Sequence, residues 1–215
     1  MSQAYDWYFD FISPFAYLNW MRLRRDFPEI RIQPKPVLFA GLLNHWEQLG
    51  PAEIPGKRIH TYRLVLWLTR QAGIPLRFPP AHPFNPLPAL RLALAAKDIH
   101  QAVDLIFKHI WEQGLAADTV EALQPVADAL GIKDLAASLA DPEVKNRLTK
   151  NGEQAIALGI FGVPTLVIND QLFWGNDATE MAMQYLANPS MSDNDAEMQR
   201  INVLPEAIQR VPKKP

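Results

Sequence analysis

The segment that most constrains the fold is a strand that runs directly into a helix, residues 5–23, with the sequence YDWYFDFISPFAYLNWMRL. Aromatic residues occupy alternate positions from residue 7 to residue 11, and this period of two predicts a strand. Ser13 and Pro14 then begin a helix, because serine is a preferred N-cap and proline a preferred first helical residue. Ser13 therefore lies at a helix N-terminus and at the carboxyl end of a strand.

Ser13 has two interpretations. It can serve only as the cap of the helix, accepting a hydrogen bond from a backbone N–H of the first turn. It can also form part of an anion site, because the free N–H groups and the positive end of the helix dipole favour negative charge. This first segment leaves both interpretations open, and the far end of the chain bears on the choice.

Composition excludes several classes of function. The 215 residues suit one large domain or a core with a substantial insertion. A net charge of −2 gives no electrostatic case for binding nucleic acid or an anionic membrane surface. No apolar run approaches the roughly 20 residues that a membrane-spanning helix needs. The N-terminus lacks the basic region of a signal peptide, and acidic residues interrupt its apolar positions.

The chain contains no cysteine. Disulfides, thiolate metal sites and redox chemistry by a protein thiol are therefore excluded. Any sulfur chemistry must use a sulfur atom that a ligand brings. The five histidines form no metal-binding motif such as HExxH, and we predict no metal site.

The rest of the chain alternates few strands with many helices. We predict further strands at residues 31–35, Thr165–Ile168 and Gln171–Trp174, the last two joined as a hairpin. Residues 45–55 and the proline-rich residues 75–88 are predicted to be connections. Capping and glycine signals predict helices at residues 58–72, 89–96, 98–113, 118–130, 141–158 and 178–186.

This order predicts an α/β protein, a thioredoxin-like domain with a large all-helical insertion. We place the thioredoxin-like domain at residues 1–39 and 152–190. The helical insertion then covers residues 40–151, and a C-terminal tail covers residues 191–215.

A proline directly precedes the third predicted strand, in the sequence Gly162-Val163-Pro164-Thr165. A cis Val163–Pro164 bond would leave the N–H and carbonyl of Val163 unpaired within the sheet, available to an extended peptide. An ordinary trans proline that opens an edge strand is the alternative.

Four motifs in order resemble a known family. They are SPFA at residues 13–16, the stretch FPPAHPFNPLPALRL at 78–92, FGVPT at 161–165 and WGND at 174–177. Together they resemble the disulfide-oxidoreductase branch of the thioredoxin superfamily, with Ser13 where relatives carry the reactive cysteine and Ala16 where they carry the second. Serine at that position is similar to kappa-class glutathione transferases and, in particular, to 2-hydroxychromene-2-carboxylate isomerases. The resemblance covers nearly the whole chain up to about Pro189.

The resemblance implies that glutathione supplies the missing thiol. Ser13 would donate a hydrogen bond to the glutathione thiolate and, with the helix N-terminus, lower its pKa. The implied glutathione-binding residues are Val163, Pro164, Asn176, Asp177, Asn44, Lys57 and Arg58, and the implied substrate pocket contains Phe84, Asn85 and Trp111. The residues alone also allow Asp177 as a plain N-cap, residues 57 and 58 as a solvated basic pair, and the aromatic residues as core.

The leading hypothesis is therefore a glutathione-dependent isomerase that interconverts 2-hydroxychromene-2-carboxylate and trans-o-hydroxybenzylidenepyruvate in aromatic catabolism. A kappa-class-like transferase or peroxidase, which consumes the thiol, is the second hypothesis. A non-catalytic thioredoxin-like domain that binds extended peptides is the third. The resemblance further implies a small aromatic substrate, a cytoplasmic location and a homodimer.

Overall fold

The computed structural model describes residues 3–191, 193 and 195–208. Its sheet has four strands in the order β2-β1-β3-β4, with bounds β1 Tyr5–Phe9, β2 Ile32–Pro36, β3 Thr165–Ile168 and β4 Gln171–Trp174. β1 runs parallel to β2 and antiparallel to β3, and β3 forms the predicted hairpin with β4. The mixed sheet with its many helices confirms the predicted α/β thioredoxin-like fold with added helices.

The aromatic side chains of the first strand form the centre of the core. Trp7, Phe9 and Phe11 are fully buried, as their alternation predicts. The Trp7 ring stacks on Phe9 with centroids 4.5 Å apart and on Trp20 at 5.0 Å. Phe11 meets Phe107, from a helix of the middle region, edge to face at 4.8 Å. The first strand thus anchors α1 and the helical region to one face of the sheet.

The opposite face of the sheet is also covered. Tyr8, which points away from Trp7 and Phe9, belongs to a second buried cluster with Val37, Leu42 and Ile160. Around Tyr8 the sheet is therefore covered on both sides, so a polar residue in the turn that follows β1 is not automatically exposed to solvent.

One helix, α1, connects β1 to β2, and seven helices fill the chain between β2 and β3, a segment that the structure describes throughout. Their bounds are α1 Pro14–Asp26, α2 Phe39–His45, α3 Pro55–Gln71, α4 Leu87–Ala95, α5 Ile99–Phe107, α6 Val120–Ala129, α7 Leu135–Ala140 and α8 Pro142–Ala157. No strand interrupts residues 40–150, all of which the structure describes. This agrees with the predicted all-helical character of the region.

Three helix predictions need correction. α2 and the short α7 were not predicted, because each has only six or seven residues and too few turns to show a helical period. The helix predicted at residues 98–113 is α5 followed by a π-helical turn, Lys108–Glu112. The helix predicted at residues 118–130 is α6, which begins two residues later than predicted and is capped by Thr119, whose side chain accepts from the N–H of Ala122.

The chain divides into two compact units, residues 1–179 and residues 180–215. The second unit carries most of α9, Thr179–Ala187, and the short α10, Ala196–Ile201. The domain boundaries at residues 39 and 152 stay a prediction. Part of the predicted tail, residues 209–215, lies outside the described residues. No helix within the described ranges has both the length and the apolarity to cross a membrane.

Candidate functional site

Ser13 caps α1 as the sequence predicts. Its Oγ accepts a hydrogen bond from the N–H of Ala16 at 3.2 Å, and its backbone is extended. The hydroxyl hydrogen has no acceptor among the described residues. The N–H of Phe15 also lacks a partner there, as expected for the first turn of a helix. The first turn contains no acidic residue that would occupy this end of the dipole. The N-terminus of α1 therefore offers two hydrogen-bond donors, the Ser13 hydroxyl and the Phe15 N–H, together with the positive end of the helix dipole. This combination suits an anion.

The turn that leads into Ser13 is held by a buried carboxyl group. Asp10 has no exposed surface. Its Oδ1 accepts from the N–H of Ile12 at 3.0 Å, and its Oδ2 accepts from the N–H of Phe39, at the start of α2, at 2.8 Å. Burial raises the pKa of Asp10 to about 7, although the two hydrogen bonds act in the opposite direction.

A tyrosine–histidine pair holds the same turn from another side. His82 Nε2 lies 2.8 Å from the carbonyl oxygen of Ile12, and its Nδ1 lies 2.6 Å from the hydroxyl of Tyr62. Burial, and to a smaller extent the nearby Arg58, lower the pKa of His82, so the ring is neutral at pH 7. Because a carbonyl can only accept, Nε2 carries the proton and Nδ1 accepts from the Tyr62 hydroxyl.

Trp111 supports the turn from inside the protein. Its Nε1 donates to the carbonyl oxygen of Phe11 at 2.8 Å, and its side chain is fully buried. The ring also contacts Phe78 and His82 edge to face, each with centroids 5.5 Å apart. This complete burial favours a packing role for Trp111 over the predicted role of lining a substrate pocket.

The proline turn before β3 lies at the same edge of the sheet. The Val163–Pro164 bond is cis, as predicted. Tyr8 of β1 pairs with Thr165 of β3, so the turn at residues 162–164 is adjacent to the end of β1, from which the chain continues to Ser13. The N–H and carbonyl of Val163 have no hydrogen-bond partner among the described residues. The free edge that the sequence predicts for a bound peptide is therefore present.

Two exposed aromatic residues flank this turn. Phe161 and Trp174 are 38% and 52% exposed, with ring centroids 5.0 Å apart. The Trp174 ring lies directly over the Cα of Gly162, where a Cβ would meet its Cε2 at 3.0 Å. Glycine at position 162 is thus required by close packing. The pair extends an apolar surface beside the unpaired backbone of Val163.

The two predicted glutathione-binding residues of the WGND motif, Asn176 and Asp177, differ in burial and in hydrogen bonding. Asn176 is buried, and its Oδ1 and carbonyl oxygen both lie 3.3 Å from an Arg22 nitrogen that donates to them. Its carbonyl also accepts from the Thr179 hydroxyl at 2.7 Å. These bonds give Asn176 a role in holding the loop. Asp177 is exposed, and its carboxylate has no hydrogen bond or ion pair within the part of the chain that the structure describes. Its role as a ligand for an ammonium group stays a prediction.

The basic candidates lie on the exposed surface of α3 and near α2. Lys57 and Arg58 are both exposed in the first turn and a half of α3. Arg58 is close enough to His82 and Tyr62 to affect the pKa values of both. This links Arg58, through His82, to the turn before Ser13. Asn44 is exposed near the end of α2. As ligand residues, all three stay predictions.

The remaining pocket candidates come from the proline-rich connection. Phe84 is half-buried, and its ring lies 6.1 Å from that of His82, whose contact with Ile12 brings it toward the Ser13 turn. Asn85 is exposed, and its side chain accepts from the N–H of Leu87 at the start of α4. Asn85 therefore has a local capping role that its sequence position did not reveal.

Sequence reasoning missed the groups that hold the site. Asp10 alternates with apolar residues, and this pattern does not show that its carboxyl group is buried and accepts from the N–H of Phe39 at the start of α2. His82 lies in the motif at residues 78–92 and Tyr62 in α3, but only their nearness in the fold shows their joint role. Arg91 has a buried Nε without a hydrogen-bond partner among the described residues. Its position in an apolar helical stretch is the sequence signal that could have predicted a buried arginine.

Comparisons with known proteins agree with this arrangement. A model of the DSBA-like thioredoxin domain matches residues 5–187. A 2-hydroxychromene-2-carboxylate isomerase of Sphingobium xenophagum is 28% identical over 196 residues, covering 86% of this chain and 99% of the relative. Glutathione S-transferase kappa 2 of Caenorhabditis elegans is 29% identical over 204 residues, covering 85% of this chain and 91% of the relative. A solved 2-hydroxychromene-2-carboxylate isomerase structure matches with a TM-score of 0.75 at 25% identity, covering 90% of this chain and 100% of the solved chain.

Proposed function

Since this chain belongs to the DSBA-like thioredoxin domain family, we propose that it is a glutathione-dependent isomerase that acts on 2-hydroxychromene-2-carboxylate or a closely similar aromatic compound. The observation that carries the proposal is Ser13, a hydroxyl with a free hydrogen at the N-terminus of α1, in a chain without cysteine. The isomerase relatives, similar over nearly their whole length, support the reaction class.

The residues of the site fit glutathione. A tripeptide can pair with the unpaired N–H and carbonyl of Val163, since extended peptides bind to free strand edges in this way. Asp177 is exposed to receive an ammonium group, and Lys57 or Arg58 to receive a carboxylate. The Ser13 hydroxyl and the Phe15 N–H are placed to donate to an anionic sulfur and so favour the thiolate.

Glutathione, when bound, would supply a thiolate that adds reversibly to the conjugated carbonyl compound formed when the chromene ring opens; the former double bond is then single and can rotate, and elimination of the thiolate restores it. The protein's part is to stabilise the sulfur anion before addition and after elimination, which Ser13 does without changing its own covalent state. Half-buried Phe84 and the exposed Phe161 and Trp174 offer apolar surface to an aromatic substrate. A basic residue on α3 would orient the substrate carboxylate.

A kappa-class-like transferase is the second candidate, because the nematode kappa relative matches as well as the isomerase does. The two differ in the fate of the thiol. The transferase would release glutathione joined to its substrate, whereas the isomerase would release it unchanged.

The test is to incubate the protein with 2-hydroxychromene-2-carboxylate and substoichiometric glutathione, then follow isomer formation by absorbance and free thiol by titration. We expect many turnovers per glutathione and a constant thiol concentration. Stoichiometric loss of thiol would assign the transferase activity, and turnover without glutathione would refute the mechanism. The cytoplasmic location and the homodimer belong to the same proposal, and light scattering of the purified protein tests the dimer.

A further inference from the structure

The peptide groups on both sides of Ile12 are held by two side chains, one from nearby Asp10 and one from the distant His82. Its N–H donates to Asp10, and its carbonyl accepts from His82, a residue of the proline-rich connection. The Ser13 N–H also donates to the carbonyl oxygen of Asp10, at 3.1 Å. The backbone that sets the direction of the Ser13 hydroxyl is therefore held by three hydrogen bonds, at the N–H and carbonyl of Ile12 and at the N–H of Ser13.

Burying the carboxyl group of Asp10 at this position costs free energy. Among the described residues no cation pairs with its carboxyl group, which is fully buried. A buried charge without a counter-ion costs free energy, and the pKa of about 7 reflects that cost. What the carboxylate provides is geometry, because two acceptor oxygens on one planar group join the N–H of Ile12 to that of Phe39.

We propose that Asp10 is a positioning residue for Ser13: its carboxylate holds the N–H of Ile12 against the start of α2, while the Tyr62–His82 pair holds the carbonyl of Ile12, in the peptide group that leads into Ser13, from the proline-rich connection. The inference rests on the proposed function, in which Ser13 donates to a bound thiolate. Asp10 itself does not touch the ligand. It acts by holding the hydroxyl in the direction that the sulfur requires.

Two accounts of Asp10 predict opposite effects. If only its negative charge mattered, Asp10→Asn would remove a repelling anion and lower the pKa of the bound thiol. If Asp10 positions Ser13, the same change replaces one acceptor oxygen by an NH₂ group that faces a backbone N–H, and the turn loses a tether. The Ser13 hydroxyl then donates less well, and the pKa of the bound thiol rises.

The experiment is a pH titration of the ultraviolet absorbance of the glutathione thiolate in the binary complex. The variants are Asp10→Asn, Ser13→Ala and the double variant, with Asp6→Asn as control, because Asp6 lies in β1, a few residues before Asp10, but pairs with Lys35 at the surface. We expect Asp10→Asn to reduce the thiolate fraction about tenfold near neutral pH, as the loss of a charge-assisted hydrogen bond would. Asp6→Asn should match the wild type.

The double variant separates positioning from general destabilisation. If Asp10 acts through Ser13, adding Asp10→Asn to Ser13→Ala should shift the thiol pKa no further. Additive shifts, or a lowered pKa in Asp10→Asn, would overturn the inference while leaving glutathione binding intact. If the wild type shows no thiolate band with glutathione, the proposed function fails first, and this inference fails with it.

A measurement without ligand tests the tether directly. Backbone hydrogen exchange in Asp10→Asn should accelerate at Ile12 and Phe39 by at least about tenfold, with no change in Asp6→Asn. Tyr62→Phe, a surface-accessible change that keeps the ring, serves if Asp10→Asn does not fold. It removes the partner of His82 Nδ1 and should shift the bound thiol pKa upward to a smaller extent. Unchanged exchange and an unchanged thiol pKa in these variants would contradict the proposal.

Discussion

At the scale of single residues, Ser13 has two separable roles, since it caps α1 and presents a hydroxyl hydrogen. Replacing it by alanine should cost about 1 kcal/mol of folding free energy, as expected for a lost N-cap. Turnover with glutathione should fall more, by roughly 10- to 100-fold, because a hydrogen bond to a charged group is lost. Denaturant unfolding and steady-state kinetics measure the two effects. Ser13→Thr, which keeps a hydroxyl, should retain most of the folding stability and most of the turnover. Full turnover in Ser13→Ala would show that Ser13 acts only as a cap.

Asp10 should give the protein a distinctive pH dependence. Its pKa is raised from 3.8 to about 7 in the folded state, so between these values the folded chain holds a proton that the unfolded chain has released. The contribution of Asp10 to stability is therefore complete below about pH 4 and is lost as the pH rises through about 7. Urea unfolding of the wild type and of Asp10→Asn across this range should show a downward slope that the variant lacks. Equal slopes would contradict the raised pKa.

At the scale of elements, the hairpin of β3 and β4 depends on close packing of its flanking turns. Gly162→Ala places a Cβ against the Trp174 ring, which must move. We expect a loss of about 1–3 kcal/mol, typical of overpacking, and weaker glutathione binding because the Val163 turn shifts. Gly152→Ala is the matched control, since it lies in α8 with no atom within 4 Å of the added Cβ. That change should stabilise by about 0.5–1 kcal/mol. Calorimetry measures glutathione binding and thermal denaturation measures stability in both variants. Equal effects of Gly162→Ala and Gly152→Ala would show that the Trp174 contact is unimportant.

At the scale of the whole chain, single hydrogen bonds join segments far apart in sequence. Trp111 donates to Phe11 across 100 residues, and this bond links the helical region to the turn before Ser13. Trp111→Phe leaves the buried Phe11 carbonyl without its donor and should cost about 1–3 kcal/mol. Trp67→Phe, in a ring that is 57% exposed, should change stability by less than about 0.5 kcal/mol. Denaturant unfolding followed by circular dichroism measures these values, and equal losses would contradict the role given to Trp111.

Local patterns in the sequence determined much of this protein. Alternation predicted the first strand, which runs at residues 5–9 where the pattern suggested 6–11, and it predicted both strands of the hairpin. Proline, serine and aspartate at helix starts placed α1 and α8, since capping depends on neighbours three or four residues away. Four short motifs together indicated the family, and the family implied a role for Ser13. These signals work because each depends on residues that are close in the chain.

Only the tertiary structure decided how the site is held together. Asp10 is buried because α2, a helix too short to be recognised in the sequence, covers its face of the sheet and brings Phe39 within hydrogen-bond distance. His82 reaches Ile12 across 70 residues. Trp111, a predicted pocket residue, is buried against Phe11, Phe78 and His82. Such contacts arise from packing between distant segments, and no local period or motif records which polar group will meet which backbone atom once the core has closed.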